Sequence, residues 1–333
     1  MRNSFNTAGF SEVVHEIRND PAEADFWYTA KARSSPHRGL SASLGPALFG
    51  SIKSARRFQV DVGDPAGTPG ADGPLPLHLA LTGIASCALT TLVGGGSAQG
   101  IVFDSADMEL TCQDGAYSSR IAIGGVPDGD VVAELVGQVE QFSPNYRTLT
   151  QHAPVALEFA SRPLPDAADA ADGHVPATGT AACLVRWVSG TQLLSRPLGP
   201  GAGEDLRIDA PKQLTGVDWG PNPQEYLLMG LAADVAAQLG RRSRETTGRP
   251  LTWEVTAAGR EDVGGLLQAV PSAVVHLQDV SCTVHLPQDA EPGTEAELEE
   301  LVRAAFADSP VRDLISTARS ADISWQLQGS DCA

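Results

Sequence analysis

The chain has 333 residues, 42% of them apolar and 19% charged, with 41 acidic against 23 basic side chains and a formal net charge of −18. That length and composition suit about two globular domains with ordinary cores, not a disordered chain. The acidity, with no clustered basic patch, excludes a nucleic-acid or anionic-membrane surface. Five cysteines at 87, 112, 183, 282 and 332 form no CxxC pair and no Cys/His spacing of a zinc site, which excludes a disulfide framework and a structural metal.

In chain order, residues 10–19 predict a short amphipathic helix with Phe10, Val13, Val14 and Ile17 on one face. No leader-like apolar segment stands in the first twenty residues, and no apolar run reads as a membrane span, so a cytoplasmic chain is expected. "FWYTAKARSS" (26–35) reads as a strand, while 36–55 shows little period. "RRFQVDV" (56–62) alternates as a strand, and "GDPAGTPGADGP" (63–74) is a turn-rich loop. An apolar helix follows from Pro76, carries Cys87 and ends in "GGGSAQG" (94–100). Those glycines close a helix and lack the Lys-Ser/Thr of a phosphate loop, so no nucleotide cofactor is expected. Residues 101–113 and 118–126 read as strands, 128–143 as a helix, and 154–162 as a closing strand.

Residues 163–179, rich in Ala, Asp, Pro and Gly, read as a linker. Then the order repeats: strands at 180–190 and 204–211, a helix over 223–240, strands at 250–259 and 273–287, a helix at 295–309 and a last strand at 321–327. "GPLPLHLALTGIASC" and "GPNPQEYLLMGLAAD" align without a gap, which places Asp234 where the first copy has Cys87, 147 positions earlier. Ser143-Pro144 and Ser309-Pro310 each follow the second helix of their half. A repeat this long means two like domains rather than a solenoid, here 1–162 and 180–333, each α+β with strands in a sheet and two helices on it.

Both halves resemble the OsmC/Ohr superfamily of thiol-dependent peroxidases. The likeness rests on "DVGDPAGTPGADGPLPLHLALTGIASC", "DAPKQLTGVDWGPNPQEYLLMGLAAD" and the later "SPV" segment. It implies that Cys87 is a peroxidatic thiol on a central helix, that Ser143 and Ser309 stand where a resolving cysteine belongs, and that an acidic residue near the helix start orients an arginine beside the thiolate. In this chain those helix starts read Leu77-His78 and Gln224-Glu225. Family members are dimers with sites where subunits meet, so a tandem chain would form an intramolecular pseudo-dimer.

Helix geometry adds its own constraint. Cys87 lies roughly 16 Å beyond Pro76 and about 13 Å beyond His78 along the axis, too far for the helix dipole or His78 to act on it. If the two central helices pair antiparallel, Gln224 and Glu225 approach Cys87, and His78 approaches Asp234. An arginine must come from elsewhere: Arg207 and Arg57 on matching strands, or Arg186, with Arg207 the first choice. Each residue also has a structural reading. Cys87 suits a small buried core position, Asp234 a water-filled pocket, His78 a solvated helix start, and Cys112, Cys183 and Cys282 the core.

Three functions follow. The first is a hydroperoxide reductase in which peroxide oxidises Cys87 and an external thiol reduces it. The second is an enzyme of specialised metabolism on the same scaffold, acting on a small molecule with Cys87 as nucleophile or Asp234 and His78 as acid and base. The third is a non-catalytic binder of an apolar small molecule.

Overall fold

The computed structural model describes residues 3–64, 73–126, 128–165, 179–199, 202–248, 251–291 and 293–328. Most of the expected linker, the middle of the 63–74 loop and Cys332 lie outside them. The first half runs α1 (Thr7–Asn19), β1 (Asp25–Ser35), β2 (Gly39–Leu44), β3 (Ala47–Phe49), β4 (Ile52–Ser54), β5 (Gln59–Val62), α2 (Pro76–Gln99), β6 (Ser105–Gln113), β7 (Ala116–Gly124), α3 (Gly129–Phe142), α4 (Pro144–Thr150), β8 (Val155–Phe159) and β9 (Arg162–Leu164). The second runs β10 (Ala181–Ser189), β11 (Gln192–Leu198), β12 (Leu206–Ile208), α5 (Pro223–Thr247), β13 (Trp253–Asp262), α6 (Val263–Leu266), β14 (Gln278–Val284), α7 (Glu295–Ala307), α8 (Pro310–Ser316) and β15 (Ile323–Leu327). The fold is mixed α+β with two sheets, one of nine strands and one of six.

Neither sheet belongs to one half. The nine-stranded sheet joins β1–β5, β8 and β9 to β13 and β14, with β1 antiparallel to β13 and β8 parallel to β14. The six-stranded sheet joins β10–β12 and β15 to β6 and β7. The expectation of one sheet per half is thus replaced by two sheets of mixed parentage. The cause is α2, which leaves β5 of the first sheet and packs on β6 and β10 of the second, while α5 packs on β1 and β13. A helix of 24 residues, about 36 Å long, carries the chain from one sheet to the other.

The two long helices pack against each other between the sheets. Gly83 and Gly230 make this possible. A Cβ at Gly83 would lie 2.6 Å from the Pro223 carbonyl oxygen, and one at Gly230 would lie 3.0 Å from that of Pro76. Each glycine meets the first turn of the other helix, so the pair runs antiparallel with the start of each beside the middle of the other. By length and composition α2 could cross a membrane, contrary to the expectation from apolar runs, but 89% of that apolar window is buried inside the fold. A helix apolar on all sides is a core helix when protein surrounds it.

Strand alternation builds the rest. β1 turns Phe26, Tyr28, Ala30 and Ala32 inward, and β13 turns Trp253, Val255, Ala257, Gly259 and Glu261 inward. The last of these is a carboxylate on a face otherwise made of apolar side chains and glycine.

Candidate functional site

Cys87 is the twelfth residue of α2 and only 3% exposed. Three donors face its sulfur: Ser143 Oγ at 3.3 Å, the Asn145 backbone N–H at 3.4 Å and, at a long 3.9 Å, the Gln224 side-chain amide. The first two come from the start of α4, which the Asn145 side-chain amide fastens to α2 by donating to the Gly83 carbonyl at 2.8 Å. The third comes from the first turn of α5. Asn145 Oδ1 is buried and accepts no hydrogen bond, leaving an open acceptor at this centre.

Gln224 also donates to Glu261 Oε1 at 3.1 Å, and Tyr28 Oη donates to Glu261 Oε2 at 2.7 Å. Thiol, amide, carboxyl and phenol therefore form one buried chain built from α2, α5, β13 and β1. Burial pushes the Cys87 thiol up to about 12, against the opposing pull of Ser143 and Asn145. Burial also raises the Glu261 carboxyl to about 7, despite its bond from Tyr28. At neutral pH Cys87 is thus a neutral thiol in one buried cluster with an acid raised toward the neutral range.

Glu225 does not touch the sulfur. Its Oε2 accepts from the Asn222 N–H at 2.8 Å while Asn222 caps the Glu225 N–H, a reciprocal closure of the helix start. Its Oε1 pairs with Arg56, which also reaches Asp218 at 3.3 Å and lies over the Phe49 ring. Arg56, not Arg207, is the arginine of this cluster. Strand β12 turns Leu206 and Ile208 inward, so Arg207 points out, over the Trp219 ring. Arg57 and Arg186 are exposed.

Nor do His78 and Asp234 meet. His78 Nδ1 accepts from the Leu75 N–H and Nε2–H donates to the Leu198 carbonyl, so it is a neutral cap whose pKa burial lowers. Asp234 accepts from Ser309 Oγ at 2.5 Å and from the Val311 N–H at 3.0 Å, and burial raises its carboxyl to about 6. This is the donor pair of the Cys87 site repeated: a serine hydroxyl and the N–H two residues on. Each Ser-Pro turn thus presents a hydroxyl and an N–H to an acceptor on the central helix, a neutral thiol in one half and a carboxyl in the other.

That likeness predicts a substitution pattern. Asp234→Ala leaves a buried hydroxyl and a buried N–H unpaired and should lose about 2 kcal/mol. Asp234→Cys, held as Cys87 is, should lose clearly less. Urea unfolding of both variants compares them, and equal losses would mean that the donors do not recognise a thiol there.

Among the described residues no three His, Cys, Asp or Glu side chains stand so as to hold a metal ion. Cys112, Cys183 and Cys282 are buried. Sequence reading missed Tyr28, Arg56, Asn145 and Glu261. No protein-family model matches the chain, and no curated protein matches it.

Proposed function

We propose that the chain is an OsmC-like intramolecular pseudo-dimer that works as an enzyme, with Cys87 as nucleophile toward a small organic electrophile and Glu261 as acceptor of the thiol proton. The reading rests on one observation: the Gln224 amide lies against both Cys87 Sγ and Glu261 Oε1. A thiol held neutral by burial needs a base that titrates near working pH, and Glu261 is the group of this cluster raised to that range. As sulfur adds across an activated double bond of the electrophile, the Gln224 amide moves aside and the thiol proton passes to the Glu261 carboxylate and from there to the second carbon of that bond. Ser143 and Asn145 meanwhile donate to the charge that builds on sulfur.

Hydroperoxide reduction with an external thiol is the second reading. The buried Arg56–Glu225 pair supports it, since the superfamily sets an acid of the helix start against an arginine, although neither residue of this pair touches the Cys87 sulfur. The elevated thiol pKa stands against it. Without the counterpart of a second cysteine, that cycle would also depend on an outside reductant.

Labelling of Cys87 by N-phenylmaleimide, followed by mass spectrometry across pH 5–10, separates the two. The rate should rise through a step near pH 7 that Glu261→Gln removes, and cumene hydroperoxide with dithiothreitol should be consumed no faster than with Cys87→Ser. A thiol inert across that range would end the nucleophile reading. Turnover of the hydroperoxide that depends on Cys87 would establish the second.

A further inference from the structure

Beyond Cys87, helix α2 presents three consecutive glycines. The Phe103 ring fills the space at Gly96 and the Gln138 side chain that at Gly95, but a Cβ at Gly94 would meet nothing nearer than the Phe5 ring edge at 3.8 Å. This bare backbone forms one wall of a cavity of about 470 Å³, within the roughly 300–1,000 Å³ of small-molecule sites. Phe10 of α1 and Leu266 and Leu267 beyond β13 form other walls. Phe5 and Phe10 stand with ring centroids 6.0 Å apart, so the cavity offers two tilted aromatic faces and a flat helix backbone.

Its polar groups are few. Thr90 Oγ1 is buried without a hydrogen-bond partner and lines the cavity, an unmet demand that a ligand can satisfy. Arg18, exposed at the rim, is the one charged residue of the lining and makes no ion pair among the described residues. No Asp or Glu lines the cavity, in a chain with 41 of them against 23 Lys and Arg. Among the described residues the repeat has no counterpart to these walls, since no described element of the second half corresponds to α1, and Gln238 and Arg241 stand where Thr91 and Gly94 are.

We propose that this cavity binds a small aromatic carboxylate. Its rings lie on the Gly94 backbone against Phe5 and Phe10, its carboxylate faces Arg18, and the Thr90 hydroxyl bonds to its polar edge. The cavity and the thiol share α2 one turn apart, with Thr91 donating to the Cys87 carbonyl at 2.9 Å, yet binding does not need the thiol.

Calorimetric titration of the full chain with 2-naphthoate and with 2-naphthylmethylammonium tests this. The carboxylate should bind one to one, and the cation at least about tenfold more weakly. Arg18→Glu should invert that order, and Gly94→Leu, which fills the cavity, should abolish binding. Ala98→Trp at the exposed rim provides the same block should Gly94→Leu fail to fold. Cys87→Ser should keep the affinity, so a failure here leaves the chemistry assigned to Cys87 standing. Absence of binding, equal affinity for the two ions, or unchanged affinity in the blocked variants would overturn the proposal.

Discussion

Arg56→Ala should destabilise the protein by about 3–5 kcal/mol at pH 7, because it strands the Glu225 carboxylate in the interior. Glu225 is 1% exposed and the Arg56 side chain 9%. Burial already raises the Glu225 pKa even with Arg56 beside it, and removing the guanidinium raises it further. For an acid the sign follows directly. The folded state then binds the proton more tightly than the unfolded chain, so the loss shrinks as pH falls and grows as it rises. Arg56→Leu combined with Glu225→Gln should recover most of the loss, since the amide still accepts the Asn222 N–H and no charge remains buried. Urea midpoints of the single and double variants at two pH values provide the check. A loss below about 1 kcal/mol for Arg56→Ala would mean that solvent already screens the pair.

The long helices were legible because Pro76 and Pro223, the glycines seven residues on and the apolar runs all agree. So were β1, β6, β7 and β10, whose inward faces alternate with period two. β11 was not, because its inward residues Leu193, Ser195 and Pro197 mix apolar with polar, and Ser195 bonds to Thr82 of α2 across the core at 2.7 Å. Helices α4 and α8 have seven residues each, too short for a helical period to stand out. Antiparallel pairing could be argued from the repeat, and with it the placing of Gln224 at the thiol. The choice between Arg56 and Arg57 could not, since residues 55–58 are not strand and alternation has no phase there. Glu261 was within reach: extending the alternation of Trp253, Val255, Ala257 and Gly259 by two residues puts it on the buried face. The strand reading stopped at Gly259, just short of the one acid in that row.

Glu261→Gln should make the protein more stable at pH 8 by on the order of 3 kcal/mol and leave it nearly unchanged at pH 4.5. The carboxyl stands at about 7 in the fold against an ordinary 4.5, so the native state holds its proton more tightly than the unfolded chain does. Its contribution is therefore fully present below about 4.5, declines as pH rises through 7, and is gone above that. Asp234, raised to about 6, adds a decline of the same sign ending about a pH unit lower, which the variant retains. A glutamine turns its carbonyl oxygen to the Gln224 amide and its NH2 to Tyr28, whose hydroxyl rotates to accept, and it carries no charge, so the variant removes the ionisation at the cost of reversing one hydrogen bond. Urea unfolding at the two pH values measures the difference, and an equal offset at both would show that Glu261 is not a perturbed acid. The expected gain bears on function. An amide at position 261 keeps both partners, with the Tyr28 bond reversed, and buries no charge near neutrality, so stability alone does not call for the carboxyl. What it alone can do is exchange a proton near pH 7 beside Cys87. A stabilised Glu261→Gln protein that has also lost the pH 7 step in Cys87 labelling would show the trade of stability for reactivity that marks a working acid–base group.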